Sequence, residues 1–207
     1  MKIQLKNIHF SEQLSQETNA FSANLYINDI KAGAASNHGY GGATGYLPFD
    51  DEGMKLIQEA ETHCKSLPPG TFTVDGKDYT IDMSLEHYID NLLNDHLRQK
   101  DLQQFRKKVE RAGERSIVIG VPDQSFKTLG LKFPVNMLLI HPKGPDILKD
   151  ILIKRIVPNL KEGEQIMNTN IPGKILQSAG MNATQYVTPS ETKPIKKANQ
   201  KRKGHGL

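Results

Sequence analysis

The segment most suited to ligand chemistry is a glycine-rich loop at residues 37–45, which reads Asn-His-Gly-Tyr-Gly-Gly-Ala-Thr-Gly. Glycine leaves backbone N–H groups accessible and adopts positive φ at little cost, so such a loop can surround a phosphate. The candidate binding residues are His38, Gly39, Gly41, Gly42 and Thr44. On this interpretation the chain is a small enzyme that acts on a phosphate-containing substrate.

The same loop departs from both standard phosphate-binding patterns. A dinucleotide fingerprint requires glycine where Thr44 stands, and no Gly-Lys-Ser/Thr sequence follows for a P-loop. The helix predicted after the loop opens with the carboxylates of residues 50–52, which would repel a phosphate from the helix N-terminus. The alternative interpretation is a long hairpin loop in which glycine serves only the turns.

Other reactive side chains form no recognisable catalytic or metal-binding pattern. Cys64 continues the apolar stripe of a predicted helix, so we expect it to be buried and not nucleophilic. His87 and His96 lie nine residues apart on one predicted helix, which places them half a turn out of phase. No Cys/His spacing fits zinc. The sequence therefore predicts no metal ligand and no cofactor, and it identifies no catalytic residue.

The C-terminal residues carry the strongest charge bias. Residues 188–207 contain six Lys/Arg and one Asp/Glu, a net charge of +5, against +4 for the whole chain and −1 for residues 1–187. Six cations are candidate nucleic-acid contacts: Lys193, Lys196, Lys197, Lys201, Arg202 and Lys203. No aromatic residue beyond Tyr186 can stack on bases, so such binding would be non-specific. A tail that only promotes solubility is the alternative.

Hairpins dominate the first part of the predicted fold. Residues 21–27 and 30–36 flank Asn28-Asp29, a dipeptide that suits a tight turn, and a second hairpin is centred on Asp75-Gly76. The regular strand–helix–strand alternation of a parallel sheet is missing. We therefore expect an α+β fold, a mainly antiparallel sheet of hairpins with helices packed on one side.

A long helix is predicted from about residue 85 to residue 112, with Ser84 as its N-cap. The apolar segment 135–140 fits either a strand or a short helix. The predicted organisation is a globular body at 1–182, with the alternative of two lobes at about 1–83 and 84–182, and a basic disordered tail at 183–207.

The predicted location is the cytoplasm. One cysteine allows no intrachain disulfide, and the first residues lack the continuous apolar run of a signal peptide. No apolar run approaches the length of a membrane span, so we expect no membrane partner.

Three N-terminal segments resemble a group of bacterial, phage and mobile-element proteins that has no established activity: Ser11-Glu12, the segment from Glu17 to Phe21, and the segment from Asn37 to Thr44. The resemblance covers the N-terminal half and implies a phage or mobile-element accessory protein in a bacterial cytoplasm. It assigns no catalytic residue. The leading hypothesis is a non-enzymatic protein that binds nucleic acid through the tail, or binds a protein partner. The alternatives are the phosphate-directed enzyme and a virion or cargo protein.

Overall fold

The α+β prediction is confirmed by the computed structural model, which describes residues 1–188. The chain divides into two units, Met1–Lys100 and a second that begins at Asp101. The two-lobe alternative placed a boundary at the start of the long helix, whereas this division lies inside it. The helix contributes Ile89 to the core of the first unit and Val109 to a core of the second. In the described part of the chain, no helix is long and apolar enough to cross a membrane.

The first unit is built on a four-stranded antiparallel sheet with the order β1-β2-β3-β4. Its strands are β1 (Ile3–Phe10), β2 (Phe21–Ile27), β3 (Ile30–Asn37) and β4 (Gly45–Pro48), with a 3₁₀ turn at Glu12–Leu14. Asn28 and Asp29 have φ of 50° and 68°, which confirms the tight hairpin predicted between β2 and β3. Alternate residues of β2 are buried, as the period of two predicts.

Helix α1 (Asp51–Lys65) covers this sheet through contacts with β2, β3 and β4. Asp50 caps it by accepting a hydrogen bond from the Gly53 N–H at 2.8 Å. Cys64 is fully buried on its apolar face, which confirms the prediction. Burial also raises the pKa of the Cys64 thiol and so disfavours a reactive thiolate. A separate two-stranded hairpin follows, β5 (Gly70–Val74) with β6 (Lys77–Ile81).

Helix α2 (Leu85–Gly113) begins in the first unit and ends in the second. The predicted cap is confirmed, since Ser84 Oγ accepts a hydrogen bond from the His87 N–H at 3.1 Å. The second unit then forms a three-stranded antiparallel sheet in the order β8-β7-β9. Its strands are β7 (Ser116–Val121), β8 (Ser125–Gly130) and β9 (Gln165–Ile166).

Short helices complete the second unit: α3 (Val135–Ile140), α4 (Gly144–Ile151) and α5 (Gly173–Ser178), with a π-helical turn at Leu152–Ile156 and a 3₁₀ turn at Val157–Asn159. The segment left open between strand and helix is therefore helical. Val135 and Leu138, three residues apart, are buried, while Ile140 faces solvent. That spacing belongs to one face of a helix.

The tail predicted from residue 183 starts too early. The Ile166 N–H donates to the Gln185 carbonyl at 2.9 Å, and the Val187 N–H donates to the Ile166 carbonyl at 2.8 Å. Tyr186 and Val187 also pack against apolar clusters of the second unit. Backbone hydrogen bonds and these two apolar side chains together attach residues 185–187 to the second unit. The six cations predicted to contact nucleic acid lie outside the described residues.

Candidate functional site

The glycine-rich loop between β3 and β4 is held by the buried side chain of Asn37. Its Oδ1 accepts hydrogen bonds from Thr18 Oγ1 at 2.9 Å and from the Gly39 N–H at 2.8 Å. Its Nδ2 donates to the Gly42 carbonyl at 2.8 Å and to Thr44 Oγ1 at 3.2 Å. One amide side chain thus uses its full hydrogen-bonding capacity to tie the loop to the end of β3.

Two glycines of the loop are required by backbone geometry. Gly39 and Gly41 have φ of 89° and 82°, where other residues are strained. A Cβ at Gly39 would collide with the Leu14 carbonyl. The Gly39 carbonyl accepts hydrogen bonds from the backbone N–H groups of residues 16–18 at 3.0–3.4 Å. Packing of the loop on the segment between β1 and β2 therefore explains these glycines without a ligand.

Thr44 joins the loop to two carboxylates of α2. Its backbone N–H donates to Glu86 Oε1 at 3.0 Å, and its Oγ1 donates to Asp90 Oδ1 at 2.6 Å. Glu86 and Asp90 lie one helical turn apart and so share a face. Burial raises the pKa of Asp90, although the Thr44 hydrogen bond lowers it, and the nearby charge of Glu86 raises it further.

A polar cleft of about 500 Å³ lies beside the loop, within the first unit. Its lining residues are Thr18, Asn19, Asn37, Gly41, Gly42, Ala43, Thr44, Glu86, Asp90 and Asn94. None of them is cationic, so the two carboxylates set the sign of the local charge. A further amide pair closes one wall, where Asn19 Nδ2 donates to Asn94 Oδ1 at 2.9 Å.

The predicted binding residues divide between the cleft wall and other places. Gly41, Gly42 and Thr44 line the cleft, whereas Gly39 is buried elsewhere and His38 is exposed outside it. The sequence-based reasoning missed the polar stripe of α2 that faces the loop, which consists of Glu86, Asp90 and Asn94. These residues recur every four positions on the predicted helix, and that spacing was the available signal.

The loop geometry argues against a phosphate site. The N–H groups of Gly39, Gly41 and Thr44 already donate to Asn37, Thr18 and Glu86 respectively. A phosphate would have to displace these acceptors and lie beside two carboxylates. Within residues 1–188, no group of three His, Cys, Asp or Glu side chains is arranged to hold a metal ion that could offset that repulsion.

The charge of the chain is divided sharply between its two units. Residues 1–100 contain 8 Lys/Arg and 14 Asp/Glu, a net charge of −6. Residues 101–188 contain 13 Lys/Arg and 8 Asp/Glu, a net charge of +5. The value of −1 for residues 1–187 therefore averages an acidic and a basic region, and the basic region continues into the C-terminal residues.

Part of the positive charge of the second unit is unpaired on α2. Lys107, Lys108 and Arg111 are exposed, and none of them takes part in an ion pair among the described residues. Val109, between them in sequence, is buried, so the cations project from the outer side of the helix. We call these three residues the α2 basic stripe. Arg106, by contrast, pairs with Asp123 through hydrogen bonds of 2.9 and 2.7 Å.

Comparisons with family models, with curated proteins and with solved structures find no match for this chain. The resemblance of the N-terminal half to phage and mobile-element proteins consequently stays a prediction.

Proposed function

We propose that the chain is a non-enzymatic accessory protein of a phage or mobile element that binds nucleic acid without sequence preference. The observation that carries the proposal is the α2 basic stripe, three exposed cations that form no ion pair with any described residue, in a region (residues 101–188) of net charge +5. Residues 189–207, outside the described structure, add another net +5. Both features supply positive charge that the acidic first unit lacks.

The physical basis is release of counterions from the nucleic-acid backbone. A cation that neutralises a phosphate frees a condensed counterion, and this gain is available at every sequence. Lys107 and Arg111, one helical turn apart on the same face, can approach one backbone together. Arg106 and Lys127 contribute less, because they would first have to leave Asp123 and Glu164.

The lack of sequence preference is supported by the packing of Phe105, which precedes the α2 basic stripe in sequence. Phe105 is the aromatic residue of α2 closest to the stripe in sequence, and it packs edge-on against Phe126 with ring centroids 5.5 Å apart. Both rings belong to an apolar cluster of the second unit, so Phe105 is not free to stack on a base. Binding through phosphates alone is sensitive to salt and indifferent to base identity.

The alternatives have less support. An enzyme acting on a phosphate-containing substrate would need loop N–H groups that are already occupied, next to Glu86 and Asp90. A virion or cargo role depends on the resemblance alone. A protein partner is favoured by one specific observation, an apolar groove in the second unit.

The test is binding of the full chain to mixed-sequence duplex DNA, measured by fluorescence anisotropy at several salt concentrations. The variant K107Q/K108Q/R111Q is compared with K55Q/K65Q/K77Q, which removes three exposed cations from the first unit. Each lost phosphate contact should reduce the magnitude of the log–log salt slope by about 0.9, so the first variant loses up to about 2.7. The control variant should keep the slope of the unmodified chain.

A chain truncated after residue 188 separates the tail from the helix. We expect the six tail cations to contribute a slope of roughly −3 to −5 through partial engagement. Equal losses in the two triple variants would mean that net charge, and not the α2 basic stripe, controls binding. Absence of binding at low salt for every form would refute the nucleic-acid proposal.

A further inference from the structure

Helices α3 and α4 of the second unit border a small apolar groove, called here the α3–α4 groove. It has a volume of about 240 Å³ and is lined by Phe133, Met137, Leu138, His141 and Ile147. Phe133, Met137 and Ile147 are 48%, 56% and 44% exposed. Large apolar side chains that gather at an exposed groove mark interaction sites more often than scattered ones do.

The core of the unit does not require these side chains. Val135 of α3 and Leu148 of α4 are fully buried and form the inner faces of the two helices. Met137 and Ile147 add a second, outer apolar face to the same helices. A helix with apolar side chains on two faces usually packs against a neighbour on each of them. The outer face therefore lacks a neighbour among the described residues.

The groove is preformed by a tight turn between its helices. The Gly144 N–H donates to the His141 carbonyl at 2.8 Å, and the Lys143 N–H donates to His141 Nδ1 at 3.2 Å. A Cβ at Gly144 would collide with the Leu138 carbonyl, so the close approach depends on glycine. A ligand does not need to order these walls, which lowers the entropic cost of binding.

The segment 132–147, which borders the groove, contains two lysines and one acidic residue, a net charge of +1. Lys132 Nζ lies 5.7 Å from the ring centroid of Phe133, and Lys143 is exposed at the turn. Neither lysine takes part in an ion pair within the described residues. Asp146 supplies one opposing charge in the first turn of α4, whereas Asp150 is paired with Lys154 at 3.3 Å.

We propose that the α3–α4 groove binds a segment of a protein partner that carries large apolar side chains flanked by Asp or Glu. Apolar side chains on one face of such a segment fill the groove, as in other complexes of an amphipathic helix with a groove. Its carboxylates complement Lys132 and Lys143. The surface uses none of the residues of the α2 basic stripe, and nucleic acid offers no apolar side chain to occupy it. The site is therefore additional to nucleic-acid binding.

The test selects ligands without assuming their sequence. A random peptide library, displayed at a length of several helical turns, is selected on the immobilised full chain and counter-selected on Met137→Glu. Enriched peptides should be net acidic and should contain large apolar residues at helical spacing. Synthetic versions should bind Met137→Glu roughly tenfold more weakly than the unmodified chain. Met54→Glu is the matched control, because Met54 is an exposed methionine of the first unit (47% exposed). This variant should bind the peptides as tightly as the unmodified chain does.

Charge reversal at Lys132→Glu and Lys143→Glu tests the rim separately and should weaken the same peptides. The proposal is overturned if selection enriches no acidic apolar peptide, or if Met137→Glu and Met54→Glu bind equally. It is also overturned if the full chain forms dimers that Met137→Glu dissociates and that no selected peptide disrupts. In that outcome the occupant is a second copy of the chain.

Discussion

In the first unit, Glu86 and Asp90 accept hydrogen bonds from Thr44 of the glycine-rich loop. In the second unit, the three cations of the α2 basic stripe are exposed to solvent. The first unit carries a net charge of −6 and the second, to residue 188, a net charge of +5. Glu86 and Asp90 therefore hold Thr44 of the loop through hydrogen bonds, whereas Lys107, Lys108 and Arg111 form no ion pair among the described residues. Regional charge is therefore more informative in this chain than the nearly neutral sum for residues 1–187.

The units resemble each other in how they satisfy buried backbone groups. Asn37 closes the glycine-rich loop of the first unit, and Asn168 has the corresponding role in the second. Asn168 Oδ1 accepts from the Val118 N–H at 2.7 Å, while its Nδ2 donates to the Gly113 and Ser116 carbonyls at 3.2 and 3.0 Å. Both units thus use an uncharged amide where polar groups are enclosed, since an amide is cheaper to bury than a charge.

Removal of the two buried amides should destabilise the two units to different extents. Asn168→Ala should lower the free energy of unfolding by about 3 kcal/mol, because it leaves buried backbone groups of the second unit without partners. Asn37→Ala should cost about 1.5 kcal/mol, because the buried Gly39 N–H loses its acceptor, whereas the exposed Gly42 carbonyl can bond to water instead. Urea denaturation followed by far-UV circular dichroism gives both values.

Asn91→Ala is the control, because Asn91 is exposed on α2 and alanine suits a helix. Its free energy of unfolding should equal or slightly exceed that of the unmodified chain. A larger loss for Asn37→Ala than for Asn168→Ala would show that the loop, and not the end of the second sheet, is the more tightly closed region.

Local patterns predicted the elements, and contacts between distant segments account for what was missed. The alternation of β2, the Asn28-Asp29 turn and the burial of Cys64 are each encoded within a few neighbouring residues. The hydrogen bonds of Thr44 to Glu86 and Asp90 join residues more than 40 positions apart, and no local period reveals such a pairing. The four-residue spacing of the polar stripe on α2 is present in the sequence, but nothing local to the helix identifies Thr44 as its partner.

The second prediction concerns pH, to which Asp90 of the first unit should respond oppositely to Asp123 and Glu164 of the second. Burial raises the pKa of Asp90 in the first unit. In the second, Arg106 lowers the pKa of Asp123 and Lys127 lowers that of Glu164. On acidification, Asp90 should therefore take up its proton first. Asp123 and Glu164 should stay ionised to a lower pH than free Asp or Glu side chains do. Carboxyl carbon chemical shifts followed by NMR measure the order directly.

The signs for stability follow by linkage. The pKa of Asp90 is higher in the folded state than the unfolded value of about 3.9. The free energy of unfolding should therefore fall as pH rises from the unfolded pKa of Asp90 to its folded pKa. The contributions of Asp123 and Glu164 are present above their unfolded pKa values and are lost as pH falls through the folded ones. Asp90→Asn should remove the first effect and leave the other two. Titration of Asp90 at or below the pH of an ordinary aspartate would contradict the prediction.

Loss of the ion pair between Arg106 and Asp123 should change stability least of all. Asp123→Asn removes the ion pair with Arg106, whose two side chains are 66% and 38% exposed, and solvent screening makes such a pair weak. Asp123 has a φ of 59°, a conformation that asparagine tolerates as well as aspartate does, so the turn between β7 and β8 should persist. The melting temperature should change little, while Arg106 becomes a fourth unpaired cation near the α2 basic stripe. If phosphate contacts on this helix drive binding, the salt slope for duplex DNA should become steeper by up to about 0.9.

Asp29→Asn is the matched control, because it removes an exposed partner of Lys2 in the first unit and changes the net charge by the same amount. Equal slopes for the two variants would show that Arg106 gains no phosphate contact and that the difference between the units lies in total charge alone.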